Sequence, residues 1–314
     1  MRDTGTFSGI DLVQADGGAP AVIAAGQAPG ESGVSVMGLR FRGGAHFRAT
    51  AQQHLIFFQN GTHGVEARAR MECRMDSRRL RHVPPMGSLA ICPAGTEGRA
   101  DADFSLDCIM VAVDPRRFAL AAAEESALEA RLIERLSGTD ESLFRLAGRL
   151  ASESRAGYPN GPLFWNDLAD GFIENLTARH AAAAVTAARG RLSRHHFTKI
   201  RDYILAHLEH PIEVDALAGI AGRSPFHFSR VFSRTVGMTP HRYVVHLRLR
   251  RALEMVRTGH AGLAEIAAAT GFADQSHLWR WVRRVYGVSL GELSSPRETK
   301  PQKSSRPAGS FFSD

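Results

Sequence analysis

Cysteine is scarce in this chain: three residues among 314, Cys73, Cys92 and Cys108. A small, odd number argues against a secreted disulfide framework. Long hydrophobic runs are missing too, none approaching the roughly 20 residues of a membrane span. The opening stretch, MRDTGTFSGIDLVQADGG, lacks the apolar core of a secretory signal. Membrane and secreted classes are thereby set aside, and a cytoplasmic protein is expected. What is present is ordinary globular text, 44% hydrophobic and 23% charged, long enough for two domains with their own cores.

Charge is unevenly placed. Residues 1–189 carry 20 Lys/Arg against 22 Asp/Glu, whereas residues 190–300 carry 17 against 9. A basic segment joined to a slightly acidic one points to a polyanion as the partner of the second half only.

The first half divides by period. Residues 1–32 are Gly/Ala-rich and read as a flexible or irregular arm. From about 33 to 113 short strands alternate with turn residues, which predicts a β-barrel or sandwich. Val65 to Glu72 alternates apolar and charged residues. His54 to Phe58 is an apolar run closed by the turn dipeptide Asn60-Gly61, Leu89 to Cys92 lies between turn residues, and Leu106 to Val113 ends at Asp114-Pro115. Asp114 as N-cap with Pro115 behind it opens a helix expected to reach about Leu136. Two more helices follow: one from Thr139-Asp140 with Leu143, Leu146, Ala147 and Leu150 on one face, the next carrying Trp165, Leu168, Phe172 and Leu176. Helices thus cover about 115–180, and residues 181–193 read as a linker.

The second half contains one half-structure written twice, at an offset of 49 up to a central glycine and 50 beyond it. Leu217-Ala218-Gly219-Ile220-Ala221-Gly222 precedes Ser224-Pro225-Phe226-His227-Phe228-Ser229-Arg230-Val231-Phe232; Ile266 to Gly271 precedes Asp274-Gln275-Ser276-His277-Leu278-Trp279-Arg280-Trp281-Val282. In each copy a glycine suits the left-handed residue of a tight turn, and a capping residue opens the next helix. The pattern predicts two helix-turn-helix units, about 214–235 and 263–285, joined by a helix over about 240–258. That connecting helix would be roughly 27 Å long at 1.5 Å per residue. Successive major grooves on one face of DNA recur about 34 Å apart. A helix near 194–208 precedes the repeat, and residues 297–314 read as a disordered tail.

These residues, with Gly237-Met238-Thr239-Pro240, Tyr243, Gly271-Phe272 and Gly287-Val288-Ser289, closely resemble the DNA-binding domain of the AraC/XylS transcription regulators. Residues 194–296 are the resembling segment. Residues 33–180 resemble that family's cupin-like effector-binding and dimerisation domain more loosely, through Pro84 to Ser88, Pro93 to Thr96 and the order of strands then helices. The resemblance implies an α+β chain: a cupin-like β-barrel with appended helices, then an all-α domain of two helix-turn-helix units. It further implies sequence-specific binding to double-stranded DNA in two adjacent major grooves, modulation by an unknown small molecule, contact with RNA polymerase, and a homodimer. An activator is the default sense, with repression left open. The second copy departs from the pattern: Leu278 and Val282 stand where phenylalanine is usual, Leu290 where proline is, and Trp279 at a small or polar place.

Family correspondence assigns base reading to Phe226, Ser229 and Arg230 in the first unit and to Gln275, Ser276, Trp279 and Arg280 in the second. Arg can pair with guanine O6 and N7, Gln with adenine, and Phe with a thymine methyl. Arg223, Ser224, Arg234, Arg283 and Arg284 are phosphate candidates, with His227 and His277 either there or supporting the fold. Arg248, Arg250 and Arg251 read as a solvated or ion-paired face. In the first half Arg40, Arg42, His46 and His54 are proposed as effector-pocket residues. Two alternatives stand beside this reading. A cupin-type metalloenzyme needs two near-adjacent His with a Glu and a further His, but His46, His54, His63 and His82 are scattered without a His-x-His pair. A cysteine-based sensor meets Cys92 and Cys108 in apolar strand text, where a buried thiol is inert. No enzyme activity, metal or cofactor is expected.

Overall fold

The computed structural model describes residues 7, 9–27, 30, 32–64, 69–125, 130–182, 190–259 and 261–288. Among them ten strands precede the first helix: β1 (Ile10–Gln14), β2 (Ala21–Gln27), β3 (Val34–Phe41), β4 (Ala45–Ala49), β5 (His54–His63), β6 (Met71–Met75), β7 (Arg78–His82), β8 (Leu89–Cys92), β9 (Gly98–Ala102) and β10 (Ser105–Val113). They form two antiparallel sheets, β1-β4-β9-β6-β7 and β2-β3-β10-β5-β8. Period-two alternation decides the packing. Cys73, Met75, Phe41, Leu55 and Leu106 point between the sheets into one core. Val36, Ile56, Phe58 and Val111 point from the second sheet's other face into a core shared with helices.

Those helices are α1 (Pro115–Glu124), α2 (Glu141–Arg155) and α3 (Gly161–His180). Asp114 caps the first by accepting Arg116 N–H at 2.7 Å, and Asp140 caps the second by accepting Leu143 N–H at 3.0 Å. The apolar positions foreseen for α3, Trp165, Leu168, Phe172 and Leu176, are all buried.

Three sequence expectations need correction here. Residues 1–32 are not irregular throughout, since β1 pairs in register with β4 and β2 with β3; partners distant in sequence supply the order. Asn60-Gly61 does not turn the chain. Strand β5 runs through it, and Gln59 and Gly61 face the neighbouring residues Cys108 and Asp107, so Asn60 is the extra residue of a bulge. The helix from Pro115 stops at Glu124 rather than near Leu136. The later residues give their backbone to other partners: Arg135 and Ile91 exchange both hydrogen bonds, and Ile133 N–H donates to His180 C=O. Arg131–Leu132 (β11) also pairs with Ala181–Ala182 (β12), at the start of the expected linker. Residues 65–68 of the Val65–Glu72 pattern, residues 183–189 of that linker, Leu290 and the tail over 297–314 lie outside the described residues.

The second half holds α4 (Arg194–Ala206), α5 (Val214–Ile220), α6 (Pro225–Val236), α7 (Pro240–Thr258), α8 (Leu263–Ala269) and α9 (Gln275–Tyr286). Helices α4 to α6 and the first turns of α7 enclose Phe197, Ile200, Leu217, Phe228, Phe232 and Tyr243. The rest of α7 joins α8 and α9 around Leu249, Ile266, Phe272, Leu278 and Val282. Helix α7 is therefore common to both cores. The chain is a β-rich domain followed by a helical one.

The two halves are packed together. Leu120 and Ala123 of α1 sit in the core of the first helical unit. Glu124 receives His246 Nε2 and Arg250 Nη1, each at 3.1 Å. Burial works to raise the Glu124 carboxyl, but the His246 contact and the Arg250 charge hold it below the usual range. Asn166 donates to Tyr286 C=O at 3.2 Å, and Arg257 pairs with Asp167. At Gly237, in the left-handed region, a Cβ would stand 2.8 Å from Arg116 C=O, so this glycine permits the close approach as well as the turn.

His54 lies within this fold rather than in a ligand site. Its Nδ1 accepts Ala94 N–H at 3.0 Å and its ring meets Phe118 edge-on. Burial pushes its imidazole down from 6.5 to about 4, against a smaller opposing pull from Asp114. The unfolded chain therefore takes up this proton first as pH falls. The stabilising contribution is full above pH 6.5 and is lost between there and about pH 4. Urea midpoints measured at pH 7 and 4.5 should fall further for the wild type than for His54→Gln; equal falls would contradict this assignment.

Candidate nucleic-acid interface

Each helix-turn-helix unit is built by local sequence. In the first, α5 ends at Ile220 with Ala221 as its C-cap, Gly222 takes φ 61°, and Ser224 and Pro225 start α6. In the second, α8 ends at Ala269 with Thr270 as its C-cap, and Gly271 takes φ 73°. Asp274 then caps α9 by accepting His277 N–H at 2.7 Å. Gly271 is required for a second reason: a Cβ there would stand 2.1 Å from Leu208 C=O. Left-handed Gly237 and Gly287 end α6 and α9.

Helical phase sorts the side chains of α6. Phe228, Val231, Phe232, Thr235 and Val236 are buried, leaving Phe226, His227, Arg230 and Arg234 exposed on the other face. Phe226 is 76% exposed although a phenylalanine ring gains nothing from water. Ser229 is half-buried at the edge of this face. Arg223 Nη1 donates to His227 Nε2, so His227 holds a neighbouring cation. Ser224 is exposed, and its hydroxyl makes no capping bond.

On α9, Gln275, Ser276, Arg280, Arg283 and Arg284 are exposed. Arg284 lies over the Trp281 ring at 5.2 Å. Trp281 Nε1–H donates to His277 Nε2 at 3.1 Å, which gives His277 a role inside the unit. Trp279 is the correction. It is only 7% exposed and packs in the core with Leu249, Leu278 and Val282. Alignment of the copies puts it in register with half-buried Ser229, and the larger indole turns inward from that boundary position. It has no surface to offer DNA.

Arg230 and Arg280 occupy corresponding positions, and among the described residues neither guanidinium has a hydrogen bond or ion pair. The basic residues of α7 are otherwise employed. Arg250 pairs with Glu124 and Arg251 with Glu254. Arg248 donates to Leu208 C=O at 3.0 Å and His210 C=O at 2.7 Å, tying α7 to the α4–α5 connection. Sequence reading missed that structural role, because the carbonyls lie about 40 residues away.

The four effector-pocket residues are not brought together. Arg40 forms a double hydrogen bond with Asp107 at 2.8 and 2.7 Å, holding that carboxyl below its usual range. His46 Nδ1 meets Asp101 at 2.8 Å on the outer sheet face, the Arg42 backbone N–H donates to Gln14 Oε1, and His54 is buried against Phe118. None of them lines the cavity of about 90 Å³ between the sheets, which is walled by Leu12, Phe47, Phe57, Met71 and Cys73 with His82 beside them. Inward positions of the short strands were the available signal for that cavity. The thiols of Cys73 and Cys92 are pushed up to about 11 by burial, and that of Cys108 to about 12. Among the described residues no group of three His, Cys, Asp or Glu could hold a metal, and no helix is long and apolar enough to cross a membrane.

Comparison with known proteins bears on the helical half. Residues 217–295 match the family model described as a helix-turn-helix domain. The chain is 32% identical over 99 residues to the probable transcriptional regulator LumQ of Photobacterium leiognathi, covering 32% of this chain and 40% of that protein. It is 27% identical over 128 residues to the HTH-type transcriptional regulator YobQ of Bacillus subtilis, covering 40% and 53%. The matches thus span about half or less of these relatives' length. A solved AraC-type regulator from Chromobacterium violaceum is 25% identical over 32% of this chain and 89% of its own, with a TM-score of 0.30.

Proposed function

We propose that this chain, whose residues 217–295 match a helix-turn-helix family model, is a sequence-specific transcription regulator of the AraC type that places α6 and α9 in adjacent major grooves. The observation that carries the reading is the equivalent pair Arg230 and Arg280, exposed on α6 and α9 and without a partner among the described residues. Phe226 and Ser229 assist base reading in the first unit, Gln275 and Ser276 in the second. Arg223, Ser224, Arg234, Arg283 and Arg284 face phosphates and set affinity and salt dependence. The 19 residues of α7 give a spacer of about 28 Å, comparable to the 34 Å repeat of the grooves.

The β-rich domain modulates this activity by binding a small molecule in the apolar cavity between its sheets. Its direct packing on α6, α7 and α9 gives a route by which ligand binding biases the helical half. The protein acts in the cytoplasm, as a homodimer that contacts RNA polymerase. Enrichment of bound duplexes from a random-sequence pool tests the DNA reading. We expect one motif with two informative blocks about 10 base pairs apart. No enrichment, or a single block, would contradict it.

A further inference from the structure

The outer face of the sheet β1-β4-β9-β6-β7 carries a feature that effector binding does not use. Registers align Arg48 of β4 with Arg99 of β9, Arg99 with Arg74 of β6, and Arg74 with Arg79 of β7. Four arginines therefore stand in one row across four adjacent strands. All point outward, because Phe47, Ala100, Cys73 and Leu80 beside them point inward to the core. Like charges placed directly opposite across strands destabilise a sheet, and here that happens three times in succession.

The acidic residues present do not neutralise the row. Glu72 alone receives Arg74, Arg79 and Arg81, and Asp101 receives Arg99 and His46. Asp11 stands opposite Arg48 in the register, yet Arg48 makes no ion pair among the described residues. Arg74, Arg79, Arg81 and Arg99 remain 44–58% exposed, so solvent or a ligand can reach every one of them.

We infer that this arginine row, a local cluster on the half whose overall charge pointed away from a polyanion, is a second site for duplex DNA, which it holds by the phosphate backbone without reading sequence. Charge and shape support this occupant. Strands about 4.8 Å apart spread the row over roughly 14 Å, a length of duplex that carries about 8 phosphate charges. The face is an open sheet, suited to an extended polyanion and not to an enclosed small ligand. Its direction adds a consequence. Helices α1 to α3 cover the other sheet, and the helical half packs on α1 and α3. The row thus faces away from the recognition helices, and the segment it binds is distinct from the one they bind. One protomer can then hold two DNA segments together.

Titration of the full chain with a 20-base-pair duplex of arbitrary sequence, at low salt and well above the dissociation constant, tests this. The wild type should bind two duplexes per chain, and Arg48→Gln/Arg79→Gln should bind one. That variant relieves like-charge opposition, so its thermal midpoint should hold or rise. A second variant, Arg230→Ala/Arg234→Ala/Arg280→Ala, should keep the duplex on the sheet while weakening the other. Cross-linking of wild-type protein to duplex should also label peptides of β4, β6, β7 and β9. One duplex per wild-type chain, unchanged stoichiometry in the sheet variant, or absence of those cross-links would overturn the inference. So would binding of a poly-glutamate peptide to the row in preference to duplex, which would make the partner an acidic protein. Sequence-selective binding by the recognition helices is measured separately and can survive any of these outcomes.

Discussion

Arg230→Ala is expected to weaken binding to the preferred duplex by about 1–3 kcal/mol, roughly 5- to 150-fold, and to flatten one block of the motif. Arg280→Ala should do the same to the other block. The reasoning is geometric. Each guanidinium lies on the exposed face of its recognition helix, opposite a buried stripe that fixes the helix's rotation. Among the described residues neither has a partner that truncation would orphan, so folding should be little affected. The two residues sit on different units without shared contacts, so their losses should add within a few tenths of a kcal/mol. Retardation assays at fixed salt, on the enriched duplex and on one with a substituted block, supply both numbers. Unchanged affinity and preference in both variants would show that these faces do not read bases.

The second large effect concerns Trp279. Trp279→Ala should destabilise the second helical unit by about 3–5 kcal/mol, the cost of emptying a large buried aromatic site. Exposure of 7%, and packing with Leu249, Leu278 and Val282, put the indole in the core shared by α7, α8 and α9. Loss of DNA binding in this variant should therefore accompany loss of helix content and a lowered thermal midpoint. Trp279→Phe, which refills most of the volume, should recover most of both. If Trp279→Ala kept its stability and lost affinity alone, the residue would be a DNA contact after all.

The helical half was legible because its signals are local. A 3.6-residue apolar stripe, a cap such as Asp274 and a stop such as Gly287 each act within one or two turns, and the internal repeat doubled the evidence. Most of the exposed face of α6 was legible for the same reason: burial of Phe228 and Phe232 leaves Phe226 and Arg230 outside. What escaped depended on partners distant in sequence. Strands β1 and β2 are ordered by β4 and β3, and the bulge at Asn60 is set by β10. The end of α1 is followed by a segment that pairs with β8 and with the end of α3. Trp279 lay on the boundary of its helix's buried arc, where side-chain size decided the side. The packing of Leu120 and Glu124 on the helical half had no sequence signature at all.

Methylation interference on an enriched duplex tests the central claim most directly, because guanine N7 lies in the major groove where an arginine reads it. The account predicts interference at guanines in two clusters about 10 base pairs apart on one face of the duplex. Arg230→Ala should remove one cluster and Arg280→Ala the other. Strong binding with no interference at guanine N7, or with a single cluster untouched by either variant, would contradict it.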